Sequence, residues 1–189
     1  MSGQPKGRAD LLIELGTEEL PPKVLKQMGE QFATLLTDAL IDTGLGCEGS
    51  MSWFATARRL AVRVPGVAHR CADQINERRG PALGAAFDDQ GQPTPAATGF
   101  ARSCGVTVDQ LERLENDKGQ WLVHRALVPG ALARSLIEPC IHSAIEKLPI
   151  PKRMRWGEGL AEFVRPVHWL VVLHGQRVLP CEALGIAAG

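Results

Sequence analysis

The sequence predicts an α+β fold, in which a small mixed or antiparallel sheet is packed by two long helices and a small α+β lobe is inserted between them. Three observations carry that expectation. The chain opens with a β-α-β-β pattern, helical periodicity returns between Ala131 and Leu148, and the texture between Arg78 and Pro129 turns rich in Gly and Pro. The expected division is a flexible tail at 1–10, a core from 11–75 and 130–189, and an inserted subdomain at 76–129.

Leu11 to Leu15 is a short apolar run bounded by Gly16 and reads as a buried strand, with a loop from Thr17 to Pro21 after it. Pro22 suits the first position of a helix, where its missing N–H costs nothing. Leu25, Met28, Phe32, Leu35, Leu36, Ala39 and Leu40 then fall on one helical face, and the helix runs out near Gly44. Met51 to Ala55 and Leu60 to Val67 read as two strands joined by a short turn around Arg58 and Arg59.

In the inserted stretch, Pro95 to Ser103 is a short helix, and Thr107 is placed to cap Val108 to Leu111. A strand near Leu114 is expected to pair with Trp121 to Val128 across Asn116-Asp117-Lys118-Gly119. The second long helix, Ala131 to Leu148, contains Pro139, which either kinks it or starts a new one; Pro149 stops it. Val167 to Leu173 and Arg177 to Leu184 then suggest a hairpin across Gly175-Gln176. Residues 184–189 carry no capping element, the pattern expected of a piece cut from a longer protein.

Composition excludes several classes. With 44% hydrophobic residues in 189, the chain can bury a core. Its 21 basic residues are balanced by 21 acidic ones, so no global field draws it to nucleic acid, and any such contact depends on local clustering. The longest apolar run, Val167 to Leu173, is interrupted by His168 and falls far short of the roughly 20 residues that span a bilayer. The N-terminus is polar and lacks the apolar stretch of a secretory signal. Five cysteines, spaced singly, suit reduced thiols in the cytoplasm better than a disulfide framework.

Four segments carry a resemblance to a known family. They are Ile13-Glu14-Leu15-Gly16-Thr17-Glu18-Glu19-Leu20-Pro21-Pro22; Phe54-Ala55-Thr56-Ala57-Arg58-Arg59-Leu60-Ala61; Arg79-Gly80-Pro81-Ala82 with Gly99-Phe100-Ala101-Arg102; and Lys147 to Gly157 running on to Phe163-Val164-Arg165-Pro166-Val167-His168-Trp169. In order and spacing the chain resembles the N-terminal part of the β subunit of the bacterial two-subunit glycyl-tRNA synthetase. It departs at Ala57, where that family usually has proline, and it matches neither the HD-like domain nor the anticodon-binding domain of the longer subunit.

The resemblance implies a supporting role in charging tRNA(Gly) with glycine, through tRNA binding, subunit contact or both, with no catalytic residue on this chain. It also implies that ATP with Mg is used on the α subunit. The partners implied are the α subunit and tRNA(Gly), with no membrane and no DNA. The residues themselves offer neither a G-x-x-x-x-G-K-[ST] loop nor a G-x-G-x-x-G turn after a strand. The alternative is a protein-docking scaffold without direct RNA contact.

The candidate contact residues are Lys152, Arg153, Arg155, Trp156, Arg165 and His168, with Arg58 and Arg59. Cations beside Trp156 and Trp169 offer charge for phosphates and flat surfaces for bases. In the competing reading the tryptophans plug the core while the cations extend into solvent or pair with Glu158 and Glu162. Glu18 and Glu19, just before a helix, read as carboxylates stabilised by its dipole, worth about 0.3–1 kcal/mol each. Cys140-Ile141-His142 is too tight and isolated for a zinc site, so no metal is expected. Cys104 after Ser103 lacks a His and Asp arrangement for nucleophilic chemistry and reads as a small apolar residue at a helix end.

Overall fold

A computed structural model of the chain describes residues 7–117, 119–150, 152–157 and 159–189. Its elements in chain order are β1 (Arg8–Thr17), α1 (Pro22–Asp42), β2 (Ser52–Thr56), β3 (Arg59–Ala68), β4 (Gln74–Ala82), α2 (Leu83–Ala86), α3 (Pro95–Cys104), β5 (Glu112–Asn116), β6 (Gly119–Val128), α4 (Ala133–Lys147), β7 (Met154–Arg155), β8 (Glu162–Phe163), β9 (Val167–His174), β10 (Arg177–Val178), β11 (Glu182–Ala183) and β12 (Ile186–Ala187). The fold is α+β with antiparallel sheets. The chain divides into two compact units, 1–72 with 130–189, and 73–129.

The first unit is built on a five-stranded sheet in the order β10-β9-β1-β3-β2. Strand period two sends Leu11, Ile13 and Leu15 of β1 to one face, and all three are fully buried. Leu60, Val62 and Val64 of β3 and Leu170 and Val172 of β9 are buried with them in one cluster. Met28, Phe32, Leu36 and Leu40 of α1 and Ile137, Cys140, Ile141 and Ala144 of α4 belong to the same cluster, at the i, i+4 and i+3 spacings of an amphipathic stripe. Gly29 on α1 lets Trp53 of β2 approach: a Cβ there would stand 2.5 Å from the ring.

β1 begins at Arg8, inside the stretch expected as a loose tail, because Arg8 and Ala9 pair with Ala68 and Val67 of β3. It also runs through Gly16 to Thr17, where pairing to β9 shifts register at a bulge. α4 continues through Pro139 without interruption. The expected hairpin from Arg177 to Leu184 is shorter: β10 stops at Val178, Pro180 follows, and the chain then makes the β11–β12 ribbon. Its turn puts Leu184 at φ 55° and Gly185 at φ 77°.

The second unit is a three-stranded sheet, β4-β6-β5, with α2, α3 and a 3-10 turn at Val108–Gln110. Thr94 caps α3, Gly105 closes it in the left-handed region, and Thr107 with Gln110 forms a capping box. β4 was not legible in the sequence, since none of its side chains is buried. Of the turn read at 116–119, Lys118 lies outside the described residues.

Candidate functional site

The structure separates the sequence-predicted contact residues into two groups in the first unit. Arg58, Arg59, Arg165 and His168 meet at the end of the five-stranded sheet where β1 closes. The segment 17–20 is stitched there by its backbone: Thr17 N donates to Arg58 O at 3.0 Å, Glu18 N to Pro166 O at 2.9 Å and Leu20 N to Ala57 O at 2.6 Å. These bonds anchor Glu18 between the β2–β3 turn and the start of β9.

Glu18 engages two partners at once. His168 Nε2 donates to its Oε1 at 2.7 Å, and Arg58 reaches its Oε2 at 3.3 Å. Glu14, further back along β1, accepts a hydrogen bond from Trp169 Nε1 at 2.9 Å and is ion-paired with Arg59 Nε at 3.2 Å. The Arg59 guanidinium also lies 5.9 Å from the Trp169 ring centroid. Arg165 donates to the carbonyls of Glu19 and Val164, at 3.0 Å each. The helix-dipole reading of Glu18 and Glu19 is therefore replaced: the first turn of α1 contains no acid, its cap is Pro21, and the side-chain partners of Glu18 are Arg58 and His168.

Register explains why these groups meet. On the sheet face opposite the buried cluster, Thr56, Arg59, Gly16 and Trp169 form one cross-strand row. Phe54, Ala61, Glu14 and Val171 form the next, followed by Ser52, Arg63, Leu12, Leu173 and Val178. On this face Phe54 is 55% exposed, Val178 50% and Trp169 37%. Strand alternation around Leu11, Ile13 and Leu15 was the signal that puts Glu14 on the face it shares with Arg59 of β3 and Trp169 of β9, its diagonal neighbours. Asp10 and Arg63 on the same face also went unread: Arg63 Nε donates to Asp10 Oδ2 at 2.9 Å, and Gly66 N to Oδ1 at 3.1 Å.

Lys152, Arg153, Arg155 and Trp156 form the second group. Arg153 donates to the carbonyls of Glu146, at 2.9 Å, and Ile145, at 3.3 Å, satisfying the last turn of α4 with a cation. Arg155 pairs with Glu162 across the β7–β8 ribbon at 3.4 Å. Lys152 is exposed. Trp156 packs against the main cluster, as the competing reading held, whereas Trp169 lies on the half-open sheet face. Pairing with Glu158 concerns a residue outside those described.

Thiols and metals offer little chemistry. All five cysteines are free, and burial pushes Cys140 up and Cys181 up to about 11, so both stay protonated. Among the described residues, no group of three His, Cys, Asp or Glu side chains is arranged to hold a metal ion. Glu14 and Glu18, each engaged by a guanidinium and a ring N–H, do not fit a Mg–nucleotide site. No described helix is long and apolar enough to cross a membrane.

Residues 11–189 match the family model described as glycyl-tRNA synthetase beta subunit. Curated relatives carry the name glycine--tRNA ligase beta subunit. The chain is 51% identical to that of Hahella chejuensis over 180 residues and 53% identical to that of Alteromonas mediterranea over 178. It is 51% identical to that of Klebsiella pneumoniae over 175 residues. These alignments cover 93–95% of this chain and 25–26% of each relative, so the chain spans about a quarter of their length. A resemblance carried by four segments thus becomes a match over nearly the whole chain, which belongs to the glycyl-tRNA synthetase β-subunit family.

Proposed function

We propose that the chain supports ATP-dependent charging of tRNA(Gly) with glycine as the N-terminal region of a β subunit, chiefly by docking the α subunit. ATP and Mg act on the α subunit in this reading, and this chain contributes no catalytic group. Side chains of α1 and α4 share the buried cluster with one face of the five-stranded sheet, and the opposite face is the docking surface in this reading.

One observation carries the preference for a protein partner. Arg58, Arg59 and Arg155 stand 3.2–3.4 Å from carboxylates of their own chain, so a phosphate would have to displace Glu18, Glu14 and Glu162. Phe54, Trp169 and Val178, by contrast, offer exposed apolar area on the sheet face that also carries Arg59, a composition suited to an interface. A second reading, tRNA contact by Lys152 and its neighbours, is favoured by the exposure of Lys152 and Arg155.

Two variants in the full α and β assembly divide these readings. Phe54→Glu places an unpaired charge in the docking face and is expected to weaken assembly with the α subunit at least ten-fold, with tRNA affinity falling only in proportion to complex lost. Arg153→Ala with Arg155→Ala is expected to leave the Michaelis constant for tRNA unchanged. A raised tRNA Michaelis constant in the double variant, with a salt slope reduced by roughly 0.7–0.9 per lost contact, would establish the RNA reading instead. Assembly unaffected by Phe54→Glu would remove the docking reading.

A further inference from the structure

We propose that a cavity at the far end of the same sheet, between the start of α4 and the β9–β10 turn, binds the phosphate of a nucleotide, free or within an RNA strand. The cavity measures about 540 Å³ and is lined by Ala9, His69, Arg134, His174, Arg177 and Leu179, among others. It lies wholly within the first unit. Ala9 and His174 stand at the opposite ends of β1 and β9 from Glu18 and His168, so the site is separate from the docking surface proposed above.

Charge distinguishes this cavity from the sheet end. Two guanidiniums line it, and no carboxylate does. Arg134 and Arg177 form no ion pair among the described residues, whereas Arg58, Arg59 and Arg155 are each neutralised. Arginine's forked donors match phosphate oxygens in bidentate geometry. Arg134 sits in the first turn of α4, a 15-residue helix whose first N–H, that of Ala133, is taken by the His69 carbonyl, and the positive end of the helix dipole adds to the same field.

The two histidines extend it. Their rings are 4.4 Å apart and tilted by 54°. His174 Nε2 faces the Val67 carbonyl at 2.9 Å, and since a carbonyl only accepts, that nitrogen carries the proton. Burial first, then His174 and Arg177, disfavour a charge on His69, which is held below its ordinary value. A bound phosphate supplies the missing counter-charge to His69, Arg134 and Arg177 together. Leu132, Leu179 and Ala9 give the cavity an apolar wall, and its volume is that of small-molecule sites, so a ribose or base has room beside the phosphate.

The test titrates the chain with inorganic phosphate, adenosine 5′-monophosphate and a short single-stranded RNA, following His69 by NMR. The nucleotide is expected to bind saturably, to raise the His69 titration midpoint, and to lose roughly ten-fold or more in affinity in Arg134→Gln with Arg177→Gln. Both arginines are exposed, and unchanged thermal unfolding checks that the variant folds. RNA that binds more tightly and is displaced by the nucleotide identifies a strand as the source; RNA no tighter than the nucleotide identifies the free compound. Absence of saturable binding, a His69 midpoint indifferent to the nucleotide, inorganic phosphate binding with the nucleotide excluded, or a double variant that binds as well as the parent overturns the proposal.

Discussion

Trp169 lies flat against Gly16 across the β1–β9 pair: a Cβ built on Gly16 would stand 1.8–2.2 Å from three atoms of the indole. Only hydrogen at that position lets the ring settle on the sheet and its Nε1 reach Glu14. Gly16→Ala is expected to eject the ring and to destabilise the fold by about 1–3 kcal/mol, the usual cost of overpacking. Urea unfolding measures the loss, and the Trp169 indole N–H resonance, assigned with Trp169→Phe, moves to the frequency of a solvated indole.

A second close approach involves backbone rather than a ring. A Cβ on Gly130 would meet the Cys71 carbonyl oxygen at 2.1 Å, in a region where Cys71 N donates to Ala131 O and Arg70 Nε to Gly130 O. Backbone cannot rotate aside as a side chain can. Gly130→Ala is therefore expected to cost about 3 kcal/mol or more and to lower the thermal midpoint by several degrees, read by circular dichroism.

Stability should fall with acid in two separate windows. Burial, then His174 and Arg177, hold His69 below 6.5, so the unfolded chain takes up a proton that the folded chain resists, and stability declines as pH drops below about 6.5. The hydrogen bond from Arg63, then that from Gly66 N, holds Asp10 below 3.8. Its stabilising effect is present above about pH 3.9 and lost as pH falls through the folded value. Unfolding free energies across pH 3–8 are expected to show His69→Gln removing the upper decline, and Asp10→Asn converging with the parent at the acid end.

Thiol reactivity should follow burial. Cys47 and Cys104, partly exposed, are expected to react with Ellman's reagent at neutral pH in the folded chain. Cys71, Cys140 and Cys181 are buried and should react only as it unfolds, Cys181 with its thiol at about 11 being the clearest case. Fast labelling of Cys181 in the native state, located by peptide mass, would contradict that ranking.

Much of the architecture could be read from residue periodicity. Pro22 marks the first residue of α1, and the apolar spacing from Leu25 to Leu40 follows its buried face. Thr107 acts as the cap its residue type suggests, while the cap Thr94 and the left-handed stop at Gly105 went unread. What could not be read lacked burial or length. β4 presents Glu77, Arg78 and Arg79 to solvent, and the two-residue strands β7, β8, β11 and β12 fall below any periodic signal. At the sheet end, the cations were visible one by one but their partners were not, because Glu14 and Glu18 meet them only through cross-strand register, with Glu18 and His168 separated by 150 positions.

The strand order β10-β9-β1-β3-β2 puts β1, which precedes the sheet's other strands in the chain, in the middle of the sheet. β1 finds β3 early, but its other edge is paired by β9, Leu11 opposite His174 and Leu15 opposite Leu170. On the ribosome, then, the apolar β1 must wait with one row of backbone donors and acceptors unmatched until residue 174 has left the exit tunnel. Closure of the sheet is a late, long-loop event, slow by its topology. During that interval the open edge of β1 is a row of unpaired donors and acceptors exposed to mispairing.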